Sequence, residues 1–199
     1  MVVKSRRQEH KELTRAAVLD AAAGQFAERG YAATTIDDVA GAARVSKGTV
    51  YYHFADKAQL FEAVFRNRQA RLLDTVATAV EGYRGPWERL QAGLDAYLEG
   101  TVADEAHRNL LQQAPSALGA ERCRQIDEEM GLPVVRLALA DLASTGELVD
   151  QPIEMLARVL FGALCESVMA AGADPHPRQA RQQAAGVLRA ITAGLHRPA

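Results

Sequence analysis

The most constraining feature of this chain is a run of helix punctuation in residues 34–57, TTIDDVAGAARVSKGTVYYHFADK. Thr34 or Thr35, Ser46 and Asp56 are cap-type residues, each able to accept from the free N–H groups of a helix's first turn. Asp37 and Asp38 follow the first cap, where the helix dipole favours anions. Two short helices are therefore expected, joined by a tight turn at Ala43, Arg44 and Val45. Ile36, Val39 and Ala40 supply the buried face of the first. Val50 and Phe54, four apart, anchor the second.

What the second helix leaves outside is chemically telling. A helix-turn-helix needs a bracing helix, a turn, and exposed side chains at the start of the second helix. Lys47, Gly48, Thr49 and Tyr51 can face a DNA groove. Gly48 lets the backbone approach closely. Thr49 can bond a base edge or a phosphate, or touch a thymine methyl, and Lys47 can reach guanine acceptors or phosphate. Tyr52, His53 and Lys57 fall where the phosphate backbone passes, fixing register without reading sequence. Singly, each has an ordinary reading: Tyr51 a core residue with a surface hydroxyl, His53 a cap or core histidine, Lys57 a solvated lysine. As one ordered string they point to double-stranded DNA.

The remaining chain reads as helix after helix. Ala16, Leu19, Ala23 and Phe26 recur at helical spacing over 11–29, and Gly30 closes that helix in the left-handed conformation. A fourth helix runs from Asp56 to about residue 80, and others are expected at 86–101, 104–113, 121–130, 133–145, 152–172 and 178–195. With 199 residues, 48% hydrophobic and only 6% aromatic, the chain has material for a sizeable helical core. The net charge of −2 excludes a general polyanion binder. Lys4, Arg6, Arg7, Lys11 and Arg15 nevertheless outweigh Glu9 and Glu12 at the start, so residues 1–10 read as a flexible basic arm. Cys123 and Cys165 form no disulfide framework. No signal peptide and no apolar run near the ~20 residues of a bilayer span stand out, so no membrane partner and a cytoplasmic location are expected. None of the five histidines has metal-ligand spacing, and no nucleophile elbow, phosphate loop or dinucleotide fingerprint occurs. No catalytic residue, metal or cofactor is expected; an all-helical enzyme is the remote alternative.

With these residues placed, the segment from about Leu13 to Val64, carrying ATTIDDVAGAARVSKGTVYYHFADKAQLFEAV, resembles the DNA-binding domain of the tetracycline-repressor (TetR) family of bacterial regulators. The resemblance implies an all-α fold: three helices that bind DNA (11–57, with the start of helix four to about 70), joined through that long helix to a C-terminal ligand-binding and dimerisation domain (71–199). It implies that Thr35 contacts the DNA backbone, that Lys47, Gly48, Thr49 and Tyr51 face bases, and that Tyr52, His53 and Lys57 hold phosphates. Two departures stand out. Arg44 replaces the usual turn glycine; if left-handed it costs on the order of 1 kcal/mol, which a phosphate contact offsets unless Arg44 points to solvent. Asp37 lies where some members place a base-reading basic residue, so readout is expected to lean on the second helix of the motif.

The stretch Leu110–Gly131 resembles the mid-domain signature of one C-terminal subgroup but names no ligand. For an unknown small-molecule effector, Trp87, Tyr97, Leu111, Met130, Phe161, Cys165 and Met169 are candidate walls, with Asn109, Gln112, Gln113 and Glu166 as polar contacts, although ordinary core is the competing reading. The last two helices are expected to self-associate through Leu160, Leu164, Val168, Val187, Leu188 and Ile191, unless one stripe covers the domain's own core. The functional expectation is a ligand-released homodimeric repressor on a near-palindromic operator. The alternative is an activator or a constitutive binder.

Overall fold

The computed structural model describes residues 5–197. Ten helices follow in order: α1 (Arg6–Ala33), α2 (Ile36–Ala43), α3 (Lys47–His53), α4 (Lys57–Val80), α5 (Pro86–Ala103), α6 (Glu105–Leu118), α7 (Ala120–Glu129), α8 (Gly131–Ser144), α9 (Ile153–Ala173) and α10 (Pro177–Ala193). Among the described residues, the only strand-like pairing is one bridge between Leu148 and His196.

The expected arm is shorter than its composition suggested. Residues 6–10 belong to α1, because the Ser5 N–H is taken up by the Gln8 side chain at 3.2 Å and the helix starts there. Residues 1–4 of the arm lie outside the described residues. At its other end α1 breaks at Gly30, whose φ of 79° with ψ of 162° has the positive φ expected but an extended ψ. One further turn follows, and Thr34 seals it with its hydroxyl 2.8 Å from the Gly30 carbonyl. The caps fall as the residues dictate. Thr35 accepts from Asp38 N, Ser46 from Thr49 N and Asp56 from Gln59 N. α6 runs past its expected end at 113, because Pro115 sits in the exposed final turn, where its missing N–H removes only one ladder bond.

Two apolar cores result. One joins the second half of α4 to α5, α8, α9 and α10 around Leu98, Leu139, Leu142, Leu160 and Leu188. The other packs α1, α2, α3 and the first half of α4, and it also takes in Leu110 and Ala114 of α6 and Ile126 of α7. Phe61 sits at its centre, edge-on to both Phe26 and Tyr31 with ring centroids 5.2 Å away. Polar ties reinforce the same junction. Arg122 of α7 grips both oxygens of Glu62 on α4, which holds that carboxyl below its ordinary value. Gln113 of α6 caps the break in α1 by accepting from Tyr31 N.

Candidate nucleic-acid interface and effector cavity

The turn between α2 and α3 is built on a left-handed residue, and that residue is Arg44, at φ 55° and ψ 41°. Its N–H reaches back to the Ala40 and Gly41 carbonyls and closes α2. Arg44 is exposed, free to meet a phosphate. Ahead of the turn, Thr35 donates to an Asp38 carboxylate oxygen at 2.6 Å and accepts from Asp38 N at 3.1 Å, so its hydroxyl serves the cap. That hydrogen bond, then the Thr35 N–H and the Arg29 guanidinium, pull the Asp38 carboxyl down to about 2.

α3 presents the expected row. Gly48 is exposed, and a β-carbon there would meet only Ser46 Oγ at 3.7 Å. Internal packing therefore does not demand a glycine there. Thr49 is half-buried with its hydroxyl 2.8 Å from Ser46 Oγ. Tyr51 and Tyr52 are 47% and 68% exposed, which rules out a core role for either ring. Lys47 is exposed and paired with Asp37 at 2.8 Å. An exposed pair of this kind contributes only about 0–1 kcal/mol, so a phosphate or base can compete for the lysine. The carboxylate that cannot read guanine thus holds the lysine beside the groove-facing row.

Lys57 is placed differently from expectation. Its ammonium donates to the Tyr31 carbonyl at 2.9 Å and the Thr34 carbonyl at 3.1 Å, and it lies 4.3 Å from the Tyr31 ring centre. It therefore clamps the turn after the α1 break, with two of its three donors engaged inside the protein. His53 is half-buried between Tyr52 and Phe54; burial, then Lys11 and Arg15, lower its pKa from the usual imidazole value. From the sequence those two α1 residues counted only toward the basic N-terminal stretch. The Lys11 ammonium lies 4.9 Å from the Tyr52 ring and the Arg15 guanidinium 5.1 Å from that of Phe54. Their four-residue spacing on a helix beside the motif was the available signal.

The C-terminal core borders a cavity of about 620 Å³ between α4, α5, α8 and α9, open to solvent beside Val134 and Leu137. Tyr97 and Phe161 line it as expected, and Leu164, expected at the dimer interface, lines it too. Gly131 is required at the wall: a β-carbon there would come within 2.5 Å of the Phe161 ring. Arg89 and Asp141, also in the wall, pair with each other. The other expected contacts lie elsewhere. Trp87 stacks on His196, centroids 4.2 Å apart, and helps hold the C-terminal segment. Asn109 and Gln113 turn to α1 carbonyls, while Gln112 and Glu166 are exposed. Leu111 packs against both cores, Met130 against the reader-side core and Cys165 against the other. Met169 is half-buried outside the wall.

Comparison with known proteins agrees with this architecture. Residues 18–64 match the family of bacterial regulatory proteins called tetR, and residues 87–195 match the tetracyclin repressor-like C-terminal domain. The chain belongs to the TetR family. It is 26% identical to the transposon Tn10 TetC protein of Escherichia coli over 159 residues, 80% of each chain. It is 32% identical to the HTH-type transcriptional repressor KstR2 of Mycobacterium tuberculosis over 107 residues, 54% of each. A TetR-family transcriptional regulator from Pectobacterium atrosepticum superposes with a TM-score of 0.81 at 25% identity, covering 98% of this chain and 100% of that one. The chain is accordingly a DNA-binding transcriptional regulator.

On this TetR-family body the outer face of α9 and α10 carries an apolar row. Four of the six residues expected at a dimer interface cannot form one directly: Leu160, Leu164, Val168 and Leu188 point into the subunit's own core. The exposed row consists of Met155 and Val159 on α9 and Val187 and Ile191 on α10, each 46% to 62% exposed. On α9 the stripe read from the sequence is the buried one, whereas on α10 Val187 and Ile191 are exposed and only Leu188 turns inward. α9 is also, by length and composition, apolar enough to cross a bilayer, against the sequence expectation. Its composition follows from its position, with one face in the core and the other apolar and exposed.

Proposed function

We propose that this regulator is a homodimeric repressor of a near-palindromic operator, released by a small molecule held in the cavity between α4, α5, α8 and α9. The observation that carries this reading is the path of α4. Its first half supplies Leu60, Phe61 and Val64 to the reader's core, and its second half supplies Leu73, Val76, Ala77 and Val80 to the cavity wall. One continuous helix thus belongs to both sites. Met155, Val159, Val187 and Ile191 support a second copy packed on α9 and α10, with Gly162 in the same row facing open space. Glycine in an exposed helix interior costs about 1 kcal/mol against alanine, and close approach of a partner helix gives it a use. Two copies with α3 one DNA turn apart, roughly 34–36 Å, read successive major grooves. An effector acts only by preferring a conformer with another spacing.

Titration of the purified protein against its own upstream DNA and a random duplex, at several salt concentrations, tests this. The expected result is tight binding to the upstream duplex at two protomers or a multiple per site. Equal, salt-sensitive binding to both would make it an architectural binder or place its operator elsewhere. Binding by a monomer would remove the α9–α10 dimer.

A further inference from the structure

The cavity between α4, α5, α8 and α9 is a slot. Along one side α4 lays Leu73, Val76, Ala77 and Val80, two turns of helix and so roughly 10 Å. Along another, α8 runs from Gly131 to Asp141, roughly 15 Å. Val134 and Leu137 of α8 belong to this wall and are still 41% and 73% exposed, so the slot opens to solvent through an apolar mouth. Exposed apolar side chains beside an apolar recess are the mark of a binding groove, because an apolar occupant takes their surface out of water.

The charge of the wall narrows the occupant further. Among the described residues Arg89 and Asp141 are its only charged members, and they pair with each other, bridging α5 to α8. Arg89 also donates to the Arg84 carbonyl at 2.8 Å. Tyr97 adds one neutral polar group, a hydroxyl already engaged by Gln69 Nε2 at 3.0 Å. An anion entering the slot gains Arg89 and meets Asp141 as a like charge at the same place. A cation gains Asp141 and meets Arg89. Either leaves water without a net partner, which is unfavourable. A neutral occupant leaves the pair closed and surrenders no hydration of a charge. We propose that the effector is an uncharged, elongated and mostly hydrocarbon molecule, carrying no more than a hydroxyl or carbonyl and lying lengthwise between α4 and α8. This assignment rests on the cavity being the effector site.

Octan-1-ol, octanoate and octylamine share one body and differ in the head. Each is titrated calorimetrically into the full-length protein and tested for releasing it from operator DNA. The alcohol should bind about tenfold or more tighter than either ion. Across butan-1-ol, hexan-1-ol and octan-1-ol, affinity should rise about fourfold for each added methylene, as burial of hydrocarbon allows. Asp141→Asn frees Arg89 and should turn the preference to octanoate; Arg89→Gln leaves Asp141 alone and should turn it to octylamine. Two variants fill the slot from opposite sides. A β-carbon at Gly93 stands 3.5 Å from Val80 Cγ1 and 3.7 Å from Val76 Cγ1, so Gly93→Leu puts its longer side chain among the wall residues, and Ala138→Trp does the same from α8. Whichever keeps the parent's circular dichroism should no longer bind the alcohol.

Tighter binding and DNA release by octanoate or octylamine would overturn the neutral effector while leaving the cavity as the effector site. Alcohol binding that survives the filled slot would overturn both. Alcohol binding that leaves DNA affinity unchanged would overturn its role as effector. Head preferences that neither charge variant moves, an affinity independent of chain length, or no binding by any probe would overturn the slot as a lipophilic site.

Discussion

Around α3, the side chains proposed to meet DNA are ones the fold does not need. Tyr51, Tyr52 and Lys47 face away from the core, and nothing inside the protein requires Gly48 to lack a side chain. Around the cavity the relation is reversed: Val76, Leu94, Val135, Phe161 and Leu164 line it and are also the residues that hold the C-terminal core together. The difference follows from the two targets. Duplex DNA is an external polar surface of fixed geometry, so reading it calls for exposed polar and aromatic groups at set helix positions. In the proposed function an effector goes into the cavity, where wall and core are made of the same apolar residues.

The sharpest way to break this comparison is to attack the core that underlies the reader. Phe61→Ala should lower stability by about 3–5 kcal/mol, as deletion of a buried aromatic does. Because Leu110, Ala114 and Ile126 share that core, thermal unfolding followed by circular dichroism should remain a single transition at lower temperature. Separate melting of the first 56 residues would show that the reader is independent after all. Next in size is Lys57→Met. An ammonium engaged by two carbonyls contributes about 1.5–3 kcal/mol, which should appear as lost stability. The slope of operator affinity against salt should not change, whereas a loss of about one phosphate's worth of slope would return Lys57 to the DNA backbone.

Tyr51→Ala tests the outward half of the comparison. Melting temperature should hardly move, while operator affinity falls by about 1–3 kcal/mol and random-duplex affinity much less. Equal losses on both duplexes would assign Tyr51 to general contact. The smallest effect is expected at the turn: Arg44→Gly should stabilise the free protein by about 1 kcal/mol, because only glycine adopts that backbone without cost. If operator affinity falls at the same time, Arg44 holds a phosphate; if it stays level, the side chain faces solvent.

What the sequence disclosed divides along the same line. Thr35, Ser46 and Asp56 announce the starts of α2, α3 and α4 by local chemistry, and the reader could be placed from them. Arg44 stood out because the family it resembles usually has glycine at that turn position, and its φ of 55° is the left-handed conformation that glycine would suit. Residues acting at long range were not legible. Nothing near Lys57 says that its ammonium will meet Tyr31, 26 positions earlier, and nothing near Gln113 says that it will cap the break 82 positions before it. The α9 stripe illustrates a further limit. With apolar residues on both faces, periodicity gives the pitch but not which face looks inward, so Leu160 and Leu164 were assigned outside and Met155 and Val159 were overlooked. Trp87 shows the limit for single residues: a large aromatic suits a pocket wall and a C-terminal stack equally well.

The sharing of the reader's core with α6 and α7 has a consequence for anyone who would exchange its parts. A chimera cut within α4 at about residue 70, carrying this DNA-reading end on another regulator's body, would leave Phe61 and Phe65 facing foreign side chains. It would also lose the Arg122 clasp on Glu62 and the Gln113 cap over Gly30. Operator preference would not travel with the first 70 residues alone. To keep the underside on which it is built, the reader would have to bring α6 and α7 with it, through Glu129, and the intervening α4–α5 stretch would then need a replacement for the α8, α9 and α10 residues it packs on.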